Sequence, residues 1–174
     1  MTILLNMCFN GLTTMLGILA LYSNEPYDFI IQIKQISFLY FSMDSIVEYW
    51  VYHRLEYIPH HVVSLACTMY IQKEHPLSFV LYTFVFAEST SFVSNLRYIL
   101  KSTQSLGFVT DMYLFGYYSL CRFIYIPFII YHLYEYKLLY YGGLYIIAMS
   151  YYWGYKWGQS IYRYHIKPSM NVSS

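Results

Sequence analysis

Residues 3–22, ILLNMCFNGLTTMLGILALY, hold no charged side chain. An α-helix rises 1.5 Å per residue, so a run of this length covers a bilayer core of about 30 Å. A cleaved signal sequence would want a basic stretch ahead of the apolar run and a small-residue cleavage site behind it. Nothing before Ile3 is basic, and Ala20-Leu21-Tyr22 is a poor site. A retained membrane helix is therefore expected, and the rest of the chain has to be compatible with it.

The composition is compatible. Only 11% of the 174 residues are charged and 58% are hydrophobic, where a soluble chain carries about 25% charged residues. The largest excess is tyrosine, 24 residues. Its apolar ring and polar tip favour the boundary between lipid and water. A net charge of +1, with no basic patch, gives no footprint for nucleic acid. Cys8, Cys67 and Cys121 lie in separate apolar runs. They read as small core residues with free thiols, not as a disulfide or metal framework.

Polar breaks divide the chain. SNEPYD (23–28), HRLEYI (53–58), QKEHP (72–76), STQSLG (102–107) and Glu135–Lys137 separate six apolar runs. The expectation is all-α: one polytopic membrane domain, residues 1–174, with six transmembrane helices bundled around a central cavity. The helices are expected at about 3–22, 33–52, 59–72, 77–100, 107–134 and 138–162, with a loose polar tail at 163–174. The run 59–72 is short for a span. Pro127 is expected to kink the fifth helix. Gly154 and Gly158, four apart, would let another helix approach closely, inside the bundle or in an oligomer.

An even number of spans puts both termini on one side. That side receives Arg54, Arg97, Lys101, Lys156, Arg163 and Lys167, the other Lys34, Lys73 and Lys137. The excess of Lys and Arg favours cytosolic termini. The pattern Asn171-Val172-Ser173 is a glycosylation sequon that would then face the cytosol and stay bare.

Ionisable groups inside apolar runs are costly and call for an explanation. Asp44 and Glu48 are four apart in the second run. The third opens on Pro59 and the pair His60-His61, with His61, Ser64 and Thr68 on one helical face. The fourth carries Glu88, Ser91 and Asn95 on one face and ends on Arg97 and Lys101. The fifth holds Asp111 and Arg122, which share a face with Tyr118. Four consecutive helices with a polar face imply that these faces meet in one interior site. Ion pairs are expected there, joining Arg97 or Arg122 to Asp44, Glu88 or Asp111. The candidate reacting groups are His60, His61, Asp44 and Glu88. The candidate lipid contacts are Ser64, Thr68, Ser91, Asn95, Arg97, Asp111 and Arg122. His53, His75, His132 and His165 lie in or near loops and receive no role. There is no H-E-x-x-H, no C-x-x-C, no Gly-rich phosphate loop and no G-x-S-x-G. Neither a metal nor a bound cofactor is expected.

Asp44 in an apolar helix, HHVVSL at 60–65, AESTSFVSNLRYIL at 87–100 and CRFIYIPF at 121–128 occur in the order and spacing of the TLC-domain family, which this chain resembles over about residues 30–165. The resemblance implies membrane helices around a lipid-accessible cavity in the endoplasmic reticulum or a related endomembrane. In ceramide synthases of that family the His-His pair serves acyl transfer from acyl-CoA to a sphingoid amine. His60 and His61 match that pair. The synthases also place a His-Asp and a second Asp in the next helix, where this chain has Ala87-Glu88-Ser89. That departure resembles the non-synthase branch, whose members are tied to membrane lipid composition. The first expectation is therefore a protein that binds or handles a membrane lipid. The second is a sphingoid-base acyltransferase with acyl-CoA as co-substrate. The third is a translocation- or cargo-associated membrane protein.

Overall fold

A computed structural model describes residues 2–47, 49–50 and 57–167. The described residues are almost wholly helical, with no strand among them. Six helices follow one another: α1 (Thr2–Leu21), α2 (Pro26–Val47), α3 (Tyr57–Tyr70), α4 (Leu77–Ser102), α5 (Phe108–Tyr131) and α6 (Lys137–Ile161). The expected α2 starts too late. Pro26 opens the helix instead of ending a turn, since its missing N–H costs nothing in a first turn. Asp28 adds a negative charge at that positive end. Likewise α6 does not stop before a loose tail at 163. It continues through a π-helical turn, Tyr162–Ile166.

Helix α5 is one rod built of Phe108–Leu120, a π-helical turn at Cys121–Tyr125, and Ile126–Tyr131. Pro127 was expected to kink it. The widened turn lies directly ahead of the proline, whose ring would otherwise press on the carbonyl of Phe123.

The helices pack as a closed ring in the order α1, α2, α3, α6, α5, α4 and back to α1. Neighbours in sequence run up and down. Phe9 near the start of α1 stacks on Tyr40 late in α2, with centroids 3.7 Å apart. Gly17 late in α1 meets Val85 early in α4. The loops after α1, α3 and α5 therefore share one end of the ring. The start of α1, the α4–α5 loop and the end of α6 share the other.

The loop end is closed by apolar packing. Ala20, Ile30, Ile33, Ile71, Leu81, Ile126, Ile130 and Leu139 form one buried cluster there. On α2 the buried residues Ile30, Ile33, Ser37, Phe41 and Asp44 recur every three or four positions, so a single stripe faces the interior and turns polar as it leaves this plug. Helix α3, with 14 residues, is about 21 Å long. Its last carbonyls lie below the loop end, and the Lys34 ammonium bonds the Ile71 carbonyl, a cation at a helix C-terminus.

One of the two expected glycines is a close approach: a side chain on Gly154 would begin 2.5 Å from the Phe123 ring of α5, while nothing lies within 4 Å of where one on Gly158 would begin. Two further tight seams are at Gly142, against Cys67 and Val63 of α3, and at Gly143, against Ile130 of α5. Together they wedge α6 between its two neighbours.

Three helical stretches, Ile3–Leu21, Leu77–Ser102 and Phe108–Tyr131, are long and apolar enough to cross a membrane. The surface matches them. Among the described residues, exposed large apolar side chains outnumber buried hydrophobic ones, while Asn10, Thr13, Asp44, His61, Thr90, Asp111, Arg122 and Ser150 are buried.

His75, in the α3–α4 loop, is a structural residue that sequence reading left without a role. It is buried between the rings of Tyr70 and Tyr136. Its Nδ1 accepts a 2.7 Å hydrogen bond from the Gln72 N–H. Burial holds its pKa below the ordinary 6.5, against an opposing pull from Glu74, with Lys34 adding a weaker push in the same direction as burial. A group with a depressed folded pKa contributes stability above its unfolded value and loses it as pH falls. The thermal midpoint in detergent should fall between pH ~7.5 and ~5.5 more for the wild type than for His75→Phe, which keeps the ring but cannot titrate. Identical acid dependence of the two proteins would remove His75 as the cause.

Candidate functional site

Consecutive residues on a helix point about 100° apart, so the two histidines at the start of α3 meet different neighbours. His61 turns to α2 and is buried. Its Nε2 lies 3.3 Å from Asp44 Oδ2 and its Nδ1 lies 3.2 Å from Ser45 Oγ. Both ring nitrogens are engaged, and the ring rests against Phe41. His60 turns to α6. Its ring stands edge to face with Trp153, centroids 5.0 Å apart, and its buried Nδ1 has no hydrogen-bond partner among the described residues.

From α5, Arg122 enters at the same level, just after the π-helical turn begins. It donates to Thr90 Oγ1 at 2.6 Å, to the Ala87 carbonyl at 2.8 Å, to Ser91 Oγ at 3.2 Å and to Ser150 Oγ at 3.3 Å. Tyr118, one turn earlier, donates to the Ser150 carbonyl at 3.0 Å. The guanidinium is buried and joins α4 to α6. It lies within electrostatic reach of both Glu88 and His60. Glu88 sits deep among the helices yet keeps part of its surface accessible, as does His60.

Asp44, His61, His60, Arg122, Ser91 and Glu88 are therefore brought to one level of the ring, from α2, α3, α5 and α4. The ion pairing expected for Arg122 is not a direct contact. Three hydroxyls and a carbonyl hold it, with Glu88 as a nearby countercharge. This leaves guanidinium and carboxylate jointly able to meet a polar group between them.

Asp111 and Arg122 do not act together. Eleven residues of helix set them about 16 Å apart, and Asp111 belongs to a second cluster nearer the open end. There Arg97 grips it with two bonds, Nε to Oδ1 at 2.6 Å and Nη2 to Oδ2 at 2.9 Å. Trp157 Nε1 donates to Oδ1 at 2.9 Å, and His165 Nε2 lies 3.1 Å from Oδ2. This carboxylate is fully buried and fully used. It ties α4, α5 and α6 together, so Arg97 and Asp111 form a clamp apart from the histidine level. Thr68 is also occupied locally, donating to the Ser64 carbonyl of its own helix at 2.8 Å. Asn95 is half-buried on α4. Glu48, Arg54, His53 and the sequon at Asn171 lie outside the described residues.

Sequence reading missed Thr90, Ser150, Trp157 and His165. It also missed a polar stripe on α1, where Asn10 and Thr13 are buried and Thr13 Oγ1 donates to the Phe9 carbonyl. The spacing of Asn6, Asn10 and Thr13 carried that signal. Trp157 and His165 carried none, because their partner Asp111 is far away in sequence.

An outward groove of about 460 Å³ lies between α5 and α6, lined by Phe115, Phe123, Tyr151 and Tyr155. Another, of about 410 Å³, lies between α2 and α3, lined by Ile31, Lys34, Phe38 and Met69. Neither is lined by Asp44, His60, His61, Glu88 or Arg122. Among the described residues no three His, Cys, Asp or Glu side chains come together as a metal site. Compared with family models, curated proteins and solved structures, the chain gives no match.

Proposed function

We propose that this chain is a multi-pass membrane protein of the TLC type that binds a lipid by its polar head inside the helical ring and thereby influences membrane lipid composition. The carrying observation is the meeting of the Asp44–His61 pair, His60, Glu88 and Arg122 at one level of the bundle. A buried guanidinium beside a carboxylate and an imidazole with an unmatched nitrogen offers donors and acceptors to a head group bearing hydroxyl or amine. The inverted surface supports the membrane reading. Apolar side chains so exposed would aggregate in water and are at ease in lipid. The endoplasmic reticulum, cytosolic termini and six spans belong to the same proposal.

The test is lipid co-purification. Protein extracted in mild detergent should retain a lipid class that Glu88→Gln and His60→Phe lose by about tenfold, the loss of one good polar contact each. Equal retention by both variants would sink the reading.

The histidine geometry favours one further reading, acyl transfer to a lipid amine. His61, engaged at both nitrogens, is suited to hold place, and His60 Nδ1 is suited to take a proton. The amine nitrogen would bond the carbonyl carbon of acyl-CoA as the C–S bond breaks. His60 would carry the amine proton to the departing thiolate. Purified protein with acyl-CoA and a long-chain base should then form amide, and His60→Ala should cut the rate about 100-fold or more. No amide from the wild type in lipid would discard transfer and leave lipid binding standing.

A further inference from the structure

The charges are unevenly divided between the two ends of the ring. At the loop end the described residues carry Lys34, Lys73 and Lys137 against Glu25, Asp28, Glu74 and Glu135. At the open end they carry Arg97, Lys101, Lys156, Arg163 and Lys167 against Asp111 alone. Asp111 is already saturated by Arg97, Trp157 and His165. Among the described residues, one cation next to it has no carboxylate partner. Lys101 Nζ lies 2.9 Å from Ser160 Oγ and 5.2 Å from the Tyr164 ring centroid. Arg97 Nη2 also donates to Ser160 Oγ, at 3.2 Å. Two cationic donors thus converge on one neutral hydroxyl. Lys101, Ser160, Tyr164 and His165 are all half-buried, so the two donors are partly withdrawn from the surroundings.

We propose that this cluster binds a phosphate group, with Lys101 and Arg97 as its donors and Ser160 marking the position an oxygen takes. A phosphate offers several strong acceptors where the hydroxyl offers one, and it neutralises the surplus charge. The group is supplied either by the head of an anionic phospholipid or by free phosphate. The lipid source rests on the membrane reading above. There, an end rich in Lys and Arg faces the anionic leaflet. The site is separate from the histidine level, so either can fail alone.

The experiment is thermal unfolding of the full chain in neutral detergent, titrated with dioctanoyl phosphatidic acid, inorganic phosphate or dioctanoyl phosphatidylcholine. Phosphatidic acid or inorganic phosphate should raise the midpoint, and which of them saturates first identifies the source. Lys101→Gln should raise the half-saturating concentration about tenfold, the loss of one charge-assisted bond. Lys101→Arg should restore it, and Lys73→Gln at the other end should leave it alone. Ser160→Asp supplies the missing anion internally. It should raise the ligand-free midpoint and abolish the response, and it serves where Lys101→Gln folds poorly. A wild-type response unchanged in Lys101→Gln and Ser160→Asp would overturn the proposal. So would a response to phosphatidylcholine equal to that of phosphatidic acid, or no response to any of the three.

Discussion

Asp111→Leu should lower stability in detergent by about 3–5 kcal/mol, the largest effect expected of a single polar change here. The aspartate is fully buried and its two oxygens take bonds from Arg97, Trp157 and His165. Removing it leaves a guanidinium enclosed without its countercharge and an indole N–H without its acceptor. The cost is therefore mostly that of stranding the partners and not the worth of the pair itself. A second substitution makes the distinction. Asp111→Leu combined with Arg97→Met should recover much of the loss, because a buried ion pair exchanged for apolar packing is often close to neutral. The thermal midpoint of single and double variants is the measurement. A single variant as stable as wild type, or a double variant worse than the sum of both singles, would contradict this account of the clamp.

Arg122→Leu is expected to cost about as much, again about 3–5 kcal/mol, for a different reason. Its guanidinium reaches Thr90, Ala87, Ser91 and Ser150 at once, so it holds α4 and α6 together across the interior. It is also the countercharge for Glu88. Lysine keeps the charge but offers a point donor that cannot span four acceptors. Arg122→Lys should therefore fall between Arg122→Leu and wild type in thermal midpoint. Adding Glu88→Leu to Arg122→Leu should recover stability while lipid retention stays lost. If the double variant kept its lipid, the binding proposal would lose its central charge and would have to move elsewhere.

Much of this architecture could be read from the residues. The charge-free run at 3–22 and the polar breaks after it set the number and order of the helices. The polar positions that mattered most, Asp44, His60, His61, Glu88 and Arg122, stood out because hydrocarbon-like surroundings make such groups expensive. What remained hidden had two physical sources. One is local: Pro26 starts a helix or ends a turn according to a single backbone choice, and Pro127 is accommodated by one widened turn. The other is long-range. Asp111 and Arg122 share a face yet do not meet. The Arg97–Asp111 pair was among those expected, but Trp157 and His165 at Asp111, and Thr90 and Ser150 at Arg122, come from α4 and from α6 with the turn beyond it, and only the ring order decides that. Gly158 misled in the same way. Its spacing from Gly154 was suggestive, yet only Gly154 meets a neighbour, and the other tight seams are at Gly142 and Gly143, about three turns earlier, where α3 and α5 close in.

The ring order has a bearing on how the protein is assembled during synthesis. Helices α1, α2 and α3 can associate as they emerge, and α4 can return to α1. At that stage the circle is incomplete. The flank of α3 that carries Cys67 and Val63 waits for Gly142, and Arg97 on α4 waits for Asp111. Of these six helices, the last to leave the ribosome is the one inserted between α3 and α5. Chains cut short before residue 137 would therefore expose His60, Arg122 and an unfilled seam together, a marked target for quality-control proteases.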